Sequence, residues 1–230
     1  MKRRNGKLYI VLLAALVAAV VLAWVLLRPS ASEEPTTPDS SAAPGTFDLD
    51  HGVELVKAGR YSGQYVEDGS DEIVQDILAI TIRNGGDQDI QLGRVVLTAS
   101  DGRTFAFDFT TLPAGESLSI LESERQAYDP NLKIVSAALD NVALFSQPMS
   151  LCSDVFELTL GDGSIGVKNI SGKAISGGRV FYKNVSGSAL VGGITYMTTV
   201  PALAAGEEAV LPAGHFRLSG SRLMFATYAE

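Results

Sequence analysis

Thr104-Phe105-Ala106-Phe107-Asp108-Phe109 puts three phenylalanines on one side of an extended chain and Ala106 and Asp108 on the other. A period of two is the signature of a half-buried β-strand, because successive side chains of an extended chain leave on opposite faces. Outward from it lie other aliphatic runs, Ile73 to Ile82, Ile90 to Ala99, Leu118 to Leu121 and Leu132 to Ala138, punctuated by Asn-Gly, Asp-Gly, Pro and Gly. Almost no window shows helical periodicity after residue 47, so the expectation is all-β, built as sandwiches.

The chain also repeats itself. Ile82-Arg83-Asn84, Ile90 and Gly93-Arg94-Val95 return 85 residues later as Val167-Lys168-Asn169, Ile175 and Gly178-Arg179-Val180. Leu112-Pro113-Ala114-Gly115-Glu116 returns after 91, as Leu203-Ala204-Ala205-Gly206-Glu207, so the second copy carries six extra residues between its Gly-Arg-Val and its turn. Two tandem domains of related fold are expected, at 47–148 and 153–230. Asn84-Gly85, and Asn169 with Gly172, are read as strand reversals, since both residue types tolerate left-handed backbone. Leu-x-x-Gly-Glu reads as a leucine entering the core, then a type I turn with glycine at its final position.

Residues Leu8 to Leu27 form an uncharged run of twenty, preceded by Lys2, Arg3, Arg4 and Lys7 and followed by Arg28-Pro29. At 1.5 Å per residue a helix of that length matches a bilayer core of about 30 Å. The positive charges place the N-terminus inside, leaving seven residues as a cytoplasmic stub. A cleaved signal peptide would have a shorter apolar core and a better small-residue site than Ser30-Ala31-Ser32, so 8–27 is read as a retained signal anchor in contact with membrane lipid. Residues 28–46 hold four prolines and no aliphatic side chain larger than alanine, a disordered linker that extends rather than folds. The C-terminal domains are thereby expected outside the plasma membrane.

All 26 acidic residues lie beyond Arg28 together with 13 basic ones, a net charge of −13 for residues 29–230. Nucleic acid is an unsuitable partner for such a surface. The lone Cys152 permits no internal disulfide; it reads as a small buried residue, with a thiol joining two chains as the alternative.

No residue is assigned a catalytic, cofactor-binding or metal-binding role, and the chain is not read as an enzyme. His51 and His215 fall in different domains without metal-site spacing. Asp48, Asp50 and His51 look catalytic on paper but sit at a domain edge and read as a strand entry. Glu67, Asp68, Asp71, Glu72 and Asp76 match no calcium loop and read as a solvated acidic turn, with calcium binding as the alternative. Arg94 and Arg179, equivalent in the two copies, read as outward residues, each with a cross-strand carboxylate partner. Residues 193–200 read as a strand, internal by default; as a sheet edge it would offer open backbone groups to another chain.

The order strand, Asn-x-Gly turn, long hairpin, Leu-x-x-Gly-Glu, strand resembles the bacterial immunoglobulin-like surface modules called CARDB domains, and the similar FxLYD domains. The resemblance rests on Ile82, Asn84, Gly85, Gly86 and Leu112 to Glu116, and on Val167 to Gly172 with Leu203 to Glu207. The second copy lacks the Phe-Leu-Tyr opening of the FxLYD type. The resemblance implies a prokaryotic, membrane-tethered, extracellular and non-catalytic setting, and transfers no functional residues. The resulting expectation is a membrane-tethered binding or assembly module with an extracytoplasmic protein partner and weak self-association. An inert spacer or accessory subunit of an envelope complex is the alternative, and a surface hydrolase or metal-dependent enzyme a remote one.

Overall fold

The computed structural model describes residues 47–70 and 72–230. The run 8–27, its flanking segments 1–7 and 28–46, and Asp71 lie outside the described residues. The protein is all-β, and no described helix is long and apolar enough to cross a membrane.

The strands of the first repeat are β1 (Phe47–Asp48), β2 (Val53–Gln64), β3 (Ile73–Asn84), β4 (Ile90–Ala99), β5 (Thr104–Leu112), β6 (Ser117–Leu121) and β7 (Ile134–Leu144). Those of the second are β8 (Phe156–Gly161), β9 (Ser164–Asn169), β10 (Gly177–Ser186), β11 (Ala189–Val200), β12 (Glu208–Pro212) and β13 (Ser221–Ala229). They form a seven-stranded sheet, β1-β2-β3-β6-β11-β10-β13, and two three-stranded sheets, β5-β4-β7 and β12-β9-β8. The long sheet runs through both repeats, joined where Leu118 and Ser119 of β6 pair in parallel with Leu190 and Val191 of β11.

Each small sheet covers part of the long one. The alternation of β5 delivers Phe105, Phe107 and Phe109 to a cluster with Leu55, Ile80, Ile82, Leu97 and Ile120, all buried. Each such side chain contributes about 1.5–3 kcal/mol when removed from water. A second cluster gathers Phe156, Ile165, Val167, Val180, Tyr182, Val200 and Phe216. On β10, Val180 and Tyr182 enter this second cluster while Val185 packs on the first, so the small sheets lie against opposite faces of the long one.

The repeated asparagines explain why the motif recurs. Asn84 is fully buried; its Nδ2 donates to the carbonyls of Gln88 (2.9 Å) and Leu112 (3.1 Å), and its Oδ1 accepts from the Gly86 amide (3.0 Å). Asn169 does the same with Lys173 (2.7 Å), Leu203 (3.1 Å) and the Ser171 amide (3.0 Å). The turn glycine returns a bond in both copies: the Gly115 amide donates to the Asn84 carbonyl and the Gly206 amide to that of Asn169. Positive φ falls on Gly115 (78°), Gly206 (79°) and Gly172 (76°), not on Asn84, Gly85 or Asn169. The asparagines therefore act through side chains that tie a hairpin to a distant turn, rather than through left-handed backbone.

Candidate functional site

The glycine pair Gly192-Gly193 interrupts β11 with a bulge, visible as the register shift between Tyr182↔Tyr196 and Asn184↔Val191. Glycine inside a strand often marks a bulge or a close approach of another chain, and both hold here. Gly192 has φ +87°, and a side chain on Gly193 would collide with the Asp108 carbonyl and the Glu67 carboxylate.

The bulge turns three carbonyls toward Lys183 of β10. Its Nζ donates to Gly192 (2.7 Å), Gly193 (3.1 Å) and Ile194 (2.7 Å), and the residue is 0% exposed. Three donated bonds match the three protons of an ammonium, so the site is built for the charged form. Burial alone pushes the Lys183 amine below the ordinary lysine range, with Glu67 acting against that shift.

Glu67 approaches the same bulge from the first repeat. Its Oε1 accepts from the Leu121 amide (2.8 Å) and its Oε2 from the Gly193 amide. Burial raises the carboxyl above its usual range, while the Leu121 and Gly193 amides and Lys183 pull it back. A charged residue from each repeat thus grips one peptide unit, and Thr110 of β5 adds a bond from its Oγ1 to the Gly193 carbonyl (3.0 Å).

Beside this bridge lies a cleft of ≈ 430 Å³, lined among others by Tyr65, Arg94, Asp108, Ser123, Arg125 and Asn141. Arg94 faces Asp108 across the β4–β5 ladder in a two-point pair, Nε to Oδ1 2.6 Å and Nη2 to Oδ2 2.9 Å. The cross-strand carboxylate expected for Arg94 is present; Arg179, its counterpart, stands in register with Thr199 and Thr227 instead. Arg125 lies 4.2 Å from the Tyr65 ring centre and pairs with Asp68 (2.9 Å) and Glu72 (2.5 Å). Beneath it, the fully buried Glu122 accepts from the amides of Glu124 (2.9 Å) and Gln126 (2.8 Å), fixing the loop that presents Arg125. The cleft offers fixed guanidinium and carboxylate pairs above apolar ground from Leu92, Phe109 and Ile194, a lining suited to holding a polar group and an apolar one together.

The acidic string divides. Asp68 and Glu72 are solvated partners of Arg125, and Asp76, with φ 53°, lies 3.6 Å from Arg60. Among the described members of the string, Glu67 alone turns inward. Of the other singled-out residues, Asp48 pairs with Glu54, Asp50 and His51 form an exposed single turn, and His215 stacks on Tyr196 at 4.5 Å. Cys152 is half-buried with its Sγ 3.3 Å from the Ala226 carbonyl, and burial raises its pKa. No cluster of three or more His, Cys, Asp or Glu able to hold a metal occurs among the described residues. The β11 segment 196–200 pairs with β10, while β6 reaches only Leu190 and Val191.

Asp108 gives the cleft a pH signature. Arg94, then Ser123, hold its carboxyl below the ordinary range. A depressed acid contributes stability above its unfolded pKa, about 3.9, and loses it as pH falls through the folded value. The stability gap between wild type and Asp108→Asn, from urea unfolding, is expected to be constant above about pH 5 and to close below the ordinary aspartate pKa.

No protein-family model and no curated protein matches this chain.

Proposed function

We propose that this protein is a membrane-tethered, extracytoplasmic binding or assembly module, made of two tandem immunoglobulin-like β-sandwiches, that receives a protein partner in the cleft between Arg94 and Arg125. The observation that carries the reading is the cleft itself: Arg94 is held by a two-point bond to Asp108 and the loop of Arg125 by the buried Glu122 before any ligand arrives, so binding costs little ordering. The uncharged run 8–27 with its basic N-terminal flank supports the tether, the −13 charge of the remainder argues against nucleic acid, and the repeated turn motif supports the family resemblance.

A photo-crosslinking residue in place of Asn141, in the cleft, is compared in intact cells with one in place of the exposed Val210 on β12. The reading expects a discrete partner adduct from position 141 alone, and its loss when protease is added outside the cells. Equal labelling from both positions, or adducts that external protease does not reach, would reject it; an inert spacer gives the former.

A further inference from the structure

A sheet edge left without protection is a place for another strand, and among the described residues one edge is guarded less than the others. β2 carries Lys57 and Arg60 and two register shifts along its length. The edge of β5 is closed by Glu122 and Ser123, which bond to Ala106 and Asp108. β7 is bulged at Val135 and near Asn141, leaving a regular stretch of Ser136 to Asp140. Where β6 stops covering β11, Gly69 packs on Ile194 and Tyr196, and Thr198 bonds to the Pro212 carbonyl. β12 is five residues long and ends in proline, and on β13 the Ala226 amide and carbonyl are taken by Ser150 and Cys152.

β8 has one of these devices, at its start, where the Phe156 amide is taken by the Cys152 carbonyl (2.8 Å), and none from Leu158 to Leu160. Its six residues pair with β9 without a register shift, and among the described residues no other strand lies beside it. It carries no proline and one charge, Glu157. The packing ends abruptly there. In the row Leu211–Ile165–Leu160, exposure rises from 4% and 0% to 46%, although all three side chains share the inner face of the sheet. Leu160 is open because the row lacks its next member.

We infer that β8 is a self-association edge at which a second copy of this chain adds its own β8 antiparallel, making one six-stranded sheet from two three-stranded ones. The sequence Phe156-Glu157-Leu158-Thr159-Leu160 is its own complement, apolar inward and polar outward. A two-fold axis perpendicular to the sheet requires the register to centre on a residue. Centred on Glu157 it opposes two carboxylates, and centred on Leu158 it opposes Asp154 to Asp162. Centred on Thr159 it sets Leu158 against Leu160 of the other copy, covers the exposed leucine, and places Glu157 opposite Gly161. No β8 residue lines the cleft, so failure of this edge to pair leaves the proposed function standing.

The test uses full-length protein in membranes, with Cys152→Ser removing the native thiol. Thr159→Cys is expected to give a disulfide-linked dimer under mild oxidation, because directly opposed residues of an antiparallel pair approach to about 4.5–5.5 Å between Cα atoms, within disulfide reach. Val210→Cys, on the outer face of the same sheet, serves as control and is expected to stay monomeric. Adding Leu160→Lys to Thr159→Cys should abolish the dimer with the melting temperature unchanged. Cross-linking from position 159 no greater than from 210, or a dimer that survives Leu160→Lys, overturns the inference; the former result includes the case in which β8 receives a strand from a different protein.

Discussion

Lys183→Met is expected to destabilise the protein by about 3–5 kcal/mol, because it leaves the half-buried Glu67 without its counter-charge and the carbonyls of Gly192, Gly193 and Ile194 without a donor. Lys183→Arg should not rescue it. A planar guanidinium cannot occupy a clamp shaped around a compact ammonium with three diverging protons. Glu67→Gln should cost less, since an amide oxygen still accepts one backbone proton and the Lys183 ammonium, though left without its counter-charge, keeps its three carbonyl acceptors. In Glu67→Gln with Lys183→Met, the combined loss should fall short of the sum by about 0.5–3 kcal/mol, the range for residues in one network. Urea unfolding of the four proteins checks each of these values.

Gly193→Ala is the second large effect. A methyl there meets the Asp108 carbonyl and the Glu67 carboxylate at once, one of them rigid backbone, so the bulge must move out of reach of Lys183. The expected loss is about 3 kcal/mol or more, combining overpacking with loss of the Lys183 and Glu67 bonds to the bulge. Gly187→Ala is the informative comparison. Gly187 has φ +58° and a methyl added to it meets nothing within 4 Å, so only left-handed strain of about 1–2 kcal/mol applies. Thermal melts of both variants separate a crowding effect from a backbone one.

Much of the frame is legible in the residues. The Phe105-Phe107-Phe109 alternation and the aliphatic run of Ile90 to Ala99 each report a local preference that burial reinforces, and each forms a strand where expected. The Leu-x-x-Gly-Glu turn instead closes one residue later than expected, from Glu116 to Pro113 and from Glu207 to Ala204, with the glycine third and at positive φ rather than last in a type I turn. The role of Asn84 and Asn169 is only half visible. Their place at a strand end follows from turn chemistry, whereas their bonds to Leu112 and Leu203 are long-range and carry no local signal.

The Glu67–Lys183 bridge is harder to read because its two members lie far apart in the chain. Glu67 hides within an acidic string whose other described members are solvated, and nothing in its neighbours distinguishes it. Lys183 does leave a trace, since Phe181 and Val185 flank it on the same strand face and mark that face as packed. Two consecutive glycines in a strand are the other trace. Together they indicate a buried cation at a bulge, without naming the carboxylate that answers it.

The bridge makes a broader demand on the molecule. Glu67 belongs to the first repeat and Lys183 and Gly193 to the second, the long sheet crosses between them, and Gly193 and Ile194 line the cleft together with Arg94 and Asp108. Neither repeat can melt and leave the other's bridge and the cleft intact. Differential scanning calorimetry of the full-length protein tests this most directly. A single transition, with calorimetric and van't Hoff enthalpies equal, is the predicted result. Two resolved transitions that Lys183→Met leaves unmoved relative to each other would contradict it.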